Sequence, residues 1–180
     1  MDGVPARRPA LLLRRAAVLL VEMLIVAVGL ACSPLHAQEV VSVDRILILK
    51  SRRLLELLHQ QEVVHSYRID LGHNPVGTKL NRGDSRTPEG IYQIDRRQAS
   101  RYHLALHISY PNAADMADAR SHHRDPGGAI FIHGFPPGYE LADPDVFRKD
   151  WTTGCIAVSD HAIEEIWRMV PVGTVVEIRP

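Results

Sequence analysis

From Val43 to the C-terminus the apolar runs are short and β-branched, and turn-forming residues recur about every ten positions. That spacing predicts a β-rich domain. Arg45 to Lys50 (RILILK), Glu62 to Asp70 (EVVHSYRID) and His103 to Ile108 alternate at period two, so Leu104, Leu106 and Ile108 share one face. Gly90 to Ile94, Ala129 to His133 and Val175 to Ile178 read as further short strands. The strand ending at His133 runs into the turn-rich GFPPG. A helix is predicted after Ser159 or Asp160, because Ile163, Ile166, Trp167 and Val170 follow the helical stripe and Pro171 stops it. Asn112 to about Arg120 is a second, shorter helical candidate. The expected fold is mainly β, a β-sandwich of mixed sheets with one C-terminal helix packed against it.

With 180 residues, 46% of them apolar, the chain can build one ordinary core. Residues 1–37 differ in kind. Arg7, Arg8, Arg14 and Arg15 precede an apolar run from Ala16 to Ala31 broken by Glu22, and SPLHAQ follows. This pattern reads as an export signal cut after Ala37, leaving residues 38–180 as the working domain in the periplasm or cell envelope. Two rival readings are an uncleaved anchor, shorter than the ~20 residues that span a bilayer, and lipidation at Cys32. Without residues 1–37 there remain 17 basic and 19 acidic side chains, so no net field argues for nucleic acid.

Loss of Cys32 with the signal would leave Cys155 as the single thiol. A lone cysteine in an oxidising compartment is either buried and inert or kept for its chemistry. Gly154 before it permits a sharp turn that can aim amide N–H groups at a developing oxyanion. His133, delivered by a buried-looking strand and followed by Gly134, is a candidate base for the thiol, although a histidine at a strand end is often only hydrogen-bonded. The loop from Arg82 to Gly90 offers two arginines, Arg82 and Arg86, to carboxylates of an anionic substrate, or is merely solvated surface. His103 with His107, and His122-His123 near Asp125, carry no zinc-type spacing; no metal and no cofactor are expected.

The motifs fall in a fixed order. Leu71-Gly72 follows a strand, then come Thr87-Pro88-Glu89-Gly90, Ile132-His133-Gly134, Gly154-Cys155-Ile156 and Val172-Gly173-Thr174 before a closing strand. This ordered set resembles the L,D-transpeptidase family with the YkuD-type catalytic domain, thiol enzymes that act on peptidoglycan. The resemblance runs from about Val43 to Ile178. It implies Cys155 as nucleophile and His133 as base, with backbone at Gly154 and Cys155 forming the oxyanion hole. Gly134 would orient the imidazole; apart from the resemblance, Thr153 and Arg86 are candidate substrate contacts. The commoner family form reads [Ser/Thr]-His-Gly-Cys followed two residues later by Arg or Asn. Here Thr153 replaces that histidine and Ala157 the Arg or Asn, a branch reading Asp-Trp-Thr-x-Gly-Cys-Ile-Ala-Val.

The implied reaction is attack of the Cys155 thiolate on a peptidoglycan stem peptide, then transfer to an amine of a second stem or of a wall-attached protein. The competing readings are an amidase or L,D-carboxypeptidase using water, and a wall-binding module without catalysis. Papain-like enzymes place cysteine before histidine, the reverse of the order here.

Overall fold

An eleven-residue strand, Gly90–Ser100, organises the sheet. The structure, a computed structural model, describes residues 42–139 and 149–180. The expected signal over residues 1–37, with Cys32, lies outside the described residues. In chain order the elements are β1 (Arg45–Leu49), β2 (Leu54–His59), β3 (Glu62–Arg68), β4 (Gly90–Ser100), β5 (His103–Ile108), α1 (Ala113–Ser121), β6 (Ile130–His133), β7 (Ile156–Ala157), α2 (Asp160–Met169) and β8 (Val175–Arg179).

The strands follow one another laterally as β3-β2-β1-β8-β4-β5-β6-β7. Parallel pairing joins β1 to β8 and β6 to β7; the other neighbours are antiparallel, so the sheet is mixed. Strand β4 serves both halves. Gly90 to Gln93 pair with β8, whereas the register from Ile94 onward is with β5, through an irregularity between Ile94 and Arg96. A bulge at that point increases twist and lets one strand turn a corner between layers. Inward residues of both halves meet in one core: Ile46, Leu55 and Val176 from one side, Ile94, Leu106 and Ile132 from the other.

Helix α2 adds Ala162, Ile163 and Ile166 to that core, and Ser159 caps it by accepting the Ala162 N–H at 3.1 Å. The predicted stripe is therefore the buried one. Helix α1 also forms, closed at its start by reciprocal bonds between Asn112 and Asp115.

Two strand segments escaped the sequence reading. LLELLH at β2 has no β-branched residue and looks helical by propensity, yet hairpins on both sides enforce extension. Gln60 and Gln61 take left-handed φ of 49° and 73°, the two-residue turn geometry that matches strand twist. The second half of β4 is polar and mostly exposed, and is held by pairing with β5.

Lys50, at the end of β1, is only 2% exposed. Its ammonium donates to Gly77 O (2.6 Å), Thr87 O (3.1 Å) and Glu89 Oε1 (2.7 Å), so all three hydrogens are used. Desolvation lowers its pKa, and Glu89 opposes that shift. A buried charge so satisfied ties the 77–89 loop to the sheet. Lys50→Met should lower stability by about 3 kcal/mol, because it strands the acceptors rather than replacing the pair, and thermal unfolding would read it.

Candidate active site

Strand β6 carries His133 at its end, and β7 lies parallel beside it with Ile132 opposite Ile156 and His133 opposite Ala157. Cys155 precedes β7 by one residue. Side chains two apart share a sheet face, so Cys155 falls on the face of Ala157 and His133. The two side chains line one cavity of about 410 Å³, together with Ser100, Tyr102 and Phe131.

The cysteine turn is braced from both ends. Asp70 and Ala157 exchange N–H···O bonds of 2.9 Å, and Gly72 forms a parallel bridge with Thr152 flanked by Thr152 N to Leu71 O (3.1 Å) and His73 N to Thr152 O (3.0 Å). Inside the turn, buried Thr152 donates its hydroxyl to Cys155 O (2.8 Å) and accepts the Gly154 N–H (3.1 Å). Gly154 has φ +133°, and a Cβ there would sit 2.7 Å from Arg86 O. Only glycine fits.

His133 is 4% exposed, stacked on Tyr102 at 4.6 Å between ring centroids and edge-on to Trp151 at 5.8 Å. Its Nδ1 lies 2.6 Å from Gly134 O. A carbonyl oxygen can only accept, so Nδ1 carries the proton and Nε2 the lone pair. Burial lowers the imidazole pKa, the Gly134 carbonyl partly restores it, and the Arg101 charge lowers it further. Burial raises the Cys155 thiol, against smaller opposing effects of the Phe131 amide and the Lys79 charge. The sulfur directs its proton at Ala129 O, 3.6 Å away. Both shifts favour a neutral thiol beside a neutral imidazole.

The sequence model of the L,D-transpeptidase catalytic domain, YkuD, matches residues 43–178. The chain belongs to this family. It is similar to the Escherichia coli (strain K12) protein YafK, named as an L,D-transpeptidase, with 31% identity over 130 residues covering 68% of this chain and 45% of that protein. The chain thus spans less than half the length of this relative. Among solved structures, the helical cell shape determining protein Pgp2 from Campylobacter jejuni superposes with a TM-score of 0.58 at 22% identity, covering 79% of this chain and 52% of that one. Bd1075 of Bdellovibrio bacteriovorus gives 0.55 at 24% identity, covering 79% and 50%. At these identities the structures speak to the fold alone.

In this L,D-transpeptidase domain, Cys155, His133, Gly134 and Gly154 are brought together. A Cβ on Gly134 would lie 2.4 Å from Asp160 Oδ1, which accepts the Phe135 N–H at 2.8 Å, so this glycine lets the start of α2 close over the histidine loop. The Gly154 amide is spent on Thr152. Thr153 is exposed at the rim of a second cavity that Cys155 also lines. Arg86 stands apart: its backbone abuts Gly154, but its guanidinium lies against Gly77. The histidines weighed as metal ligands pair singly, His103 with Glu164, His107 with Asp95 and His122 with Asp118. No cluster of three metal-binding side chains occurs among the described residues.

Thr152, Trp151, Tyr102 and Asp70 were not singled out from sequence. Asp150, Trp151 and Thr152 sit in the quoted branch motif, which was a usable signal; Tyr102 and Asp70 had none. Asp70 is fully buried, and neither of its carboxylate oxygens nor the Trp151 indole nitrogen closes a hydrogen bond. Desolvation first and the Asp150 charge second raise its pKa to about 6, with Trp151, Arg53 and Arg68 pulling the other way. A carboxyl raised in the folded state contributes stability below its unfolded pKa of 3.8 and loses it as pH climbs through about 6. Asp70→Asn should therefore gain stability over the parent between pH 4 and pH 7, by on the order of 2 kcal/mol, in pH-resolved denaturant titrations.

The electrostatics of the pair give a second test. Alkylation of Cys155 by iodoacetamide should accelerate with an inflection above the ~8.5 of a free thiol. An inflection below neutrality would show a preformed thiolate–imidazolium pair.

Proposed function

We propose that this domain is an exported cysteine acyltransferase that resolves a Cys155 thioester of a peptidoglycan stem peptide with an amine. Family membership supports the reaction class, and the observation that carries the assignment is the shared cavity in which Cys155 and a fixed-tautomer His133 occupy one sheet face. Export rests on the basic and apolar pattern of residues 1–37. A role in cell shape follows the name of Pgp2.

Each step conserves protons. The Cys155 S–H bond turns from Ala129 O to His133 Nε2, which takes the proton as sulfur adds to the carbonyl carbon after diaminopimelate. The C–N bond to the terminal D-alanine breaks, and the leaving amine takes that proton from His133. An acceptor amine then adds to the thioester, gives a proton to His133 and regenerates the thiol. Peptide-bond energy is conserved in the thioester, so this step needs no nucleotide. Water in the acceptor's place would give a shortened stem instead.

Disaccharide tetrapeptides incubated with the protein should yield cross-linked dimers and a mass adduct on Cys155. His133→Gln should lower kcat/KM by roughly 10³-fold, within the usual range for a lost general base, and Cys155→Ala should abolish turnover. Shortened stems without dimers would replace transfer by hydrolysis. Unchanged peptides with no adduct would overturn both.

A further inference from the structure

Cys155 lines two cavities. The second, about 170 Å³, excludes His133 and is walled by Lys79, Arg82, Gly127, Gly128 and Thr153 around the thiol. Its charged lining groups are both cations. Their partners lie elsewhere: Lys79 Nζ donates to Asp84 Oδ1 (2.8 Å) and Asn81 O (3.0 Å), and Arg82 Nε to Asp125 Oδ2 (2.6 Å), yet neither aspartate is part of the wall.

Asp84 is held firmly without Lys79. It also accepts backbone N–H groups from Leu80 (2.7 Å), Asn81 (2.9 Å) and Arg86 (3.1 Å); desolvation opposes them, and these bonds together with the Lys79 ammonium lower its pKa to about 2. Lys79, only 6% exposed, gives two of its three hydrogens to these partners. One donor remains for a ligand. The positive charge is felt at the sulfur, where Lys79 is the charged group that favours the thiolate. Glycine at 127 keeps the space clear, since a Cβ there would lie 3.2 Å from Arg82 Cα and 3.6 Å from Lys79 Cε.

We infer that this cavity is a carboxylate subsite in which Lys79 receives the terminal carboxylate of the amino acid released from the Cys155 acyl donor. The assignment of the ligand rests on the acyl-transfer reading above. The released residue is bonded through its amine to the carbon that sulfur attacks, and its carboxylate lies one carbon farther on. That carboxylate must therefore be seated close to the thiol. At about 170 Å³ the cavity is smaller than the ~300–1,000 Å³ of ordinary ligand pockets and suits one small residue. A partly buried ammonium recognises such an anion far better than its uncharged amide. An α-amino acid entering as acceptor retraces the same path and meets the same cation.

The subsite can be tested without turnover. Iodoacetate and iodoacetamide both alkylate a thiolate with loss of iodide, but only the former carries a carboxylate, and their rate ratio at Cys155 cancels changes in thiol acidity. The iodoacetate to iodoacetamide ratio should fall about tenfold in Lys79→Met and be largely kept in Lys79→Arg, a difference of about 1.4 kcal/mol. In the unsubstituted protein, D-alanine should slow alkylation by iodoacetate and D-alaninamide should not, which needs no variant to fold. An unchanged ratio, or equal protection by acid and amide, overturns the subsite.

Donor tetrapeptides amidated at one carboxylate distinguish the source. The loss in kcat/KM should be confined to amidation of the terminal D-alanine and should vanish in Lys79→Met. A loss confined to amidation of the diaminopimelate carboxylate would overturn the terminal assignment. Retained reagent selectivity with no peptide turnover would instead sink the acyl-transfer reading and leave the carboxylate site standing.

Discussion

The active geometry depends on backbone hydrogen bonds from residues 70–73 to the two ends of the cysteine turn. Strand β7 has only two residues, and so short a strand cannot fix the cysteine turn by its own pairing. The bridge at Asp70 secures Ala157, the bridge at Gly72 secures Thr152, and Thr152 closes the turn between them. Gly72 has no room for a side chain, because a Cβ would fall 2.1 Å from Ser85 O and 3.0 Å from Gly154 N. A further tie comes from Asp150, whose carboxylate takes the Leu71 N–H (3.0 Å) and pairs with Arg53 at 2.5 Å. Positioning of the sulfur is thus a property of chain segments far apart in sequence.

Seen this way, most of the ordered motifs are scaffolding. Thr87 and Glu89 supply acceptors for buried Lys50, and the Glu89 amide is itself held by Thr78 Oγ1 at 2.9 Å. Gly173 and Thr174 close against β4, with Gly173 N to Ile94 O at 2.7 Å and Ile94 N to Thr174 O at 2.9 Å. That contact fixes the corner where β4 passes from one half of the sheet to the other. The motifs holding His133 and Cys155, by contrast, open onto a shared cavity.

What was legible in the sequence was what local patterning controls. Alternation revealed β1, β3 and β5, the stripe of Ile163, Ile166 and Val170 revealed α2, and the Gly-Cys and Ile-His-Gly pairs marked two side chains that the fold places in one cavity. The missed parts are set by tertiary context. Leucine-rich β2 is a strand because its neighbours on both sides pair with it. Arg86 was read as a substrate contact from its charge, but a long side chain's direction is decided by the fold, and here it turns to Gly77. Asp70 gave no sign because an aspartate after a strand is ordinarily solvated; burial and the neighbouring Asp150 make it unusual.

The departures at Thr153 and Ala157 acquire a physical meaning from the aromatic groups around His133. Ala157 is fully buried and packs with Phe135, with Tyr139 and Trp151 closing over that contact. Trp151 in turn touches the rings of Tyr102, His133, Phe135 and Tyr139. An arginine or asparagine at 157 would bring a polar head into this packing, where it would lack partners and displace the tryptophan. Small Ala157 and large Trp151 therefore belong to one solution, in which the rings of Tyr102 and Trp151 pack against the imidazole. Burial among these rings favours the neutral form of the His133 imidazole. The Lys79 charge reaches the thiol through a different cavity, one that His133 does not line. Because the cavities lined by His133 and by Lys79 share only Cys155, either side chain can be substituted without altering the wall of the other cavity.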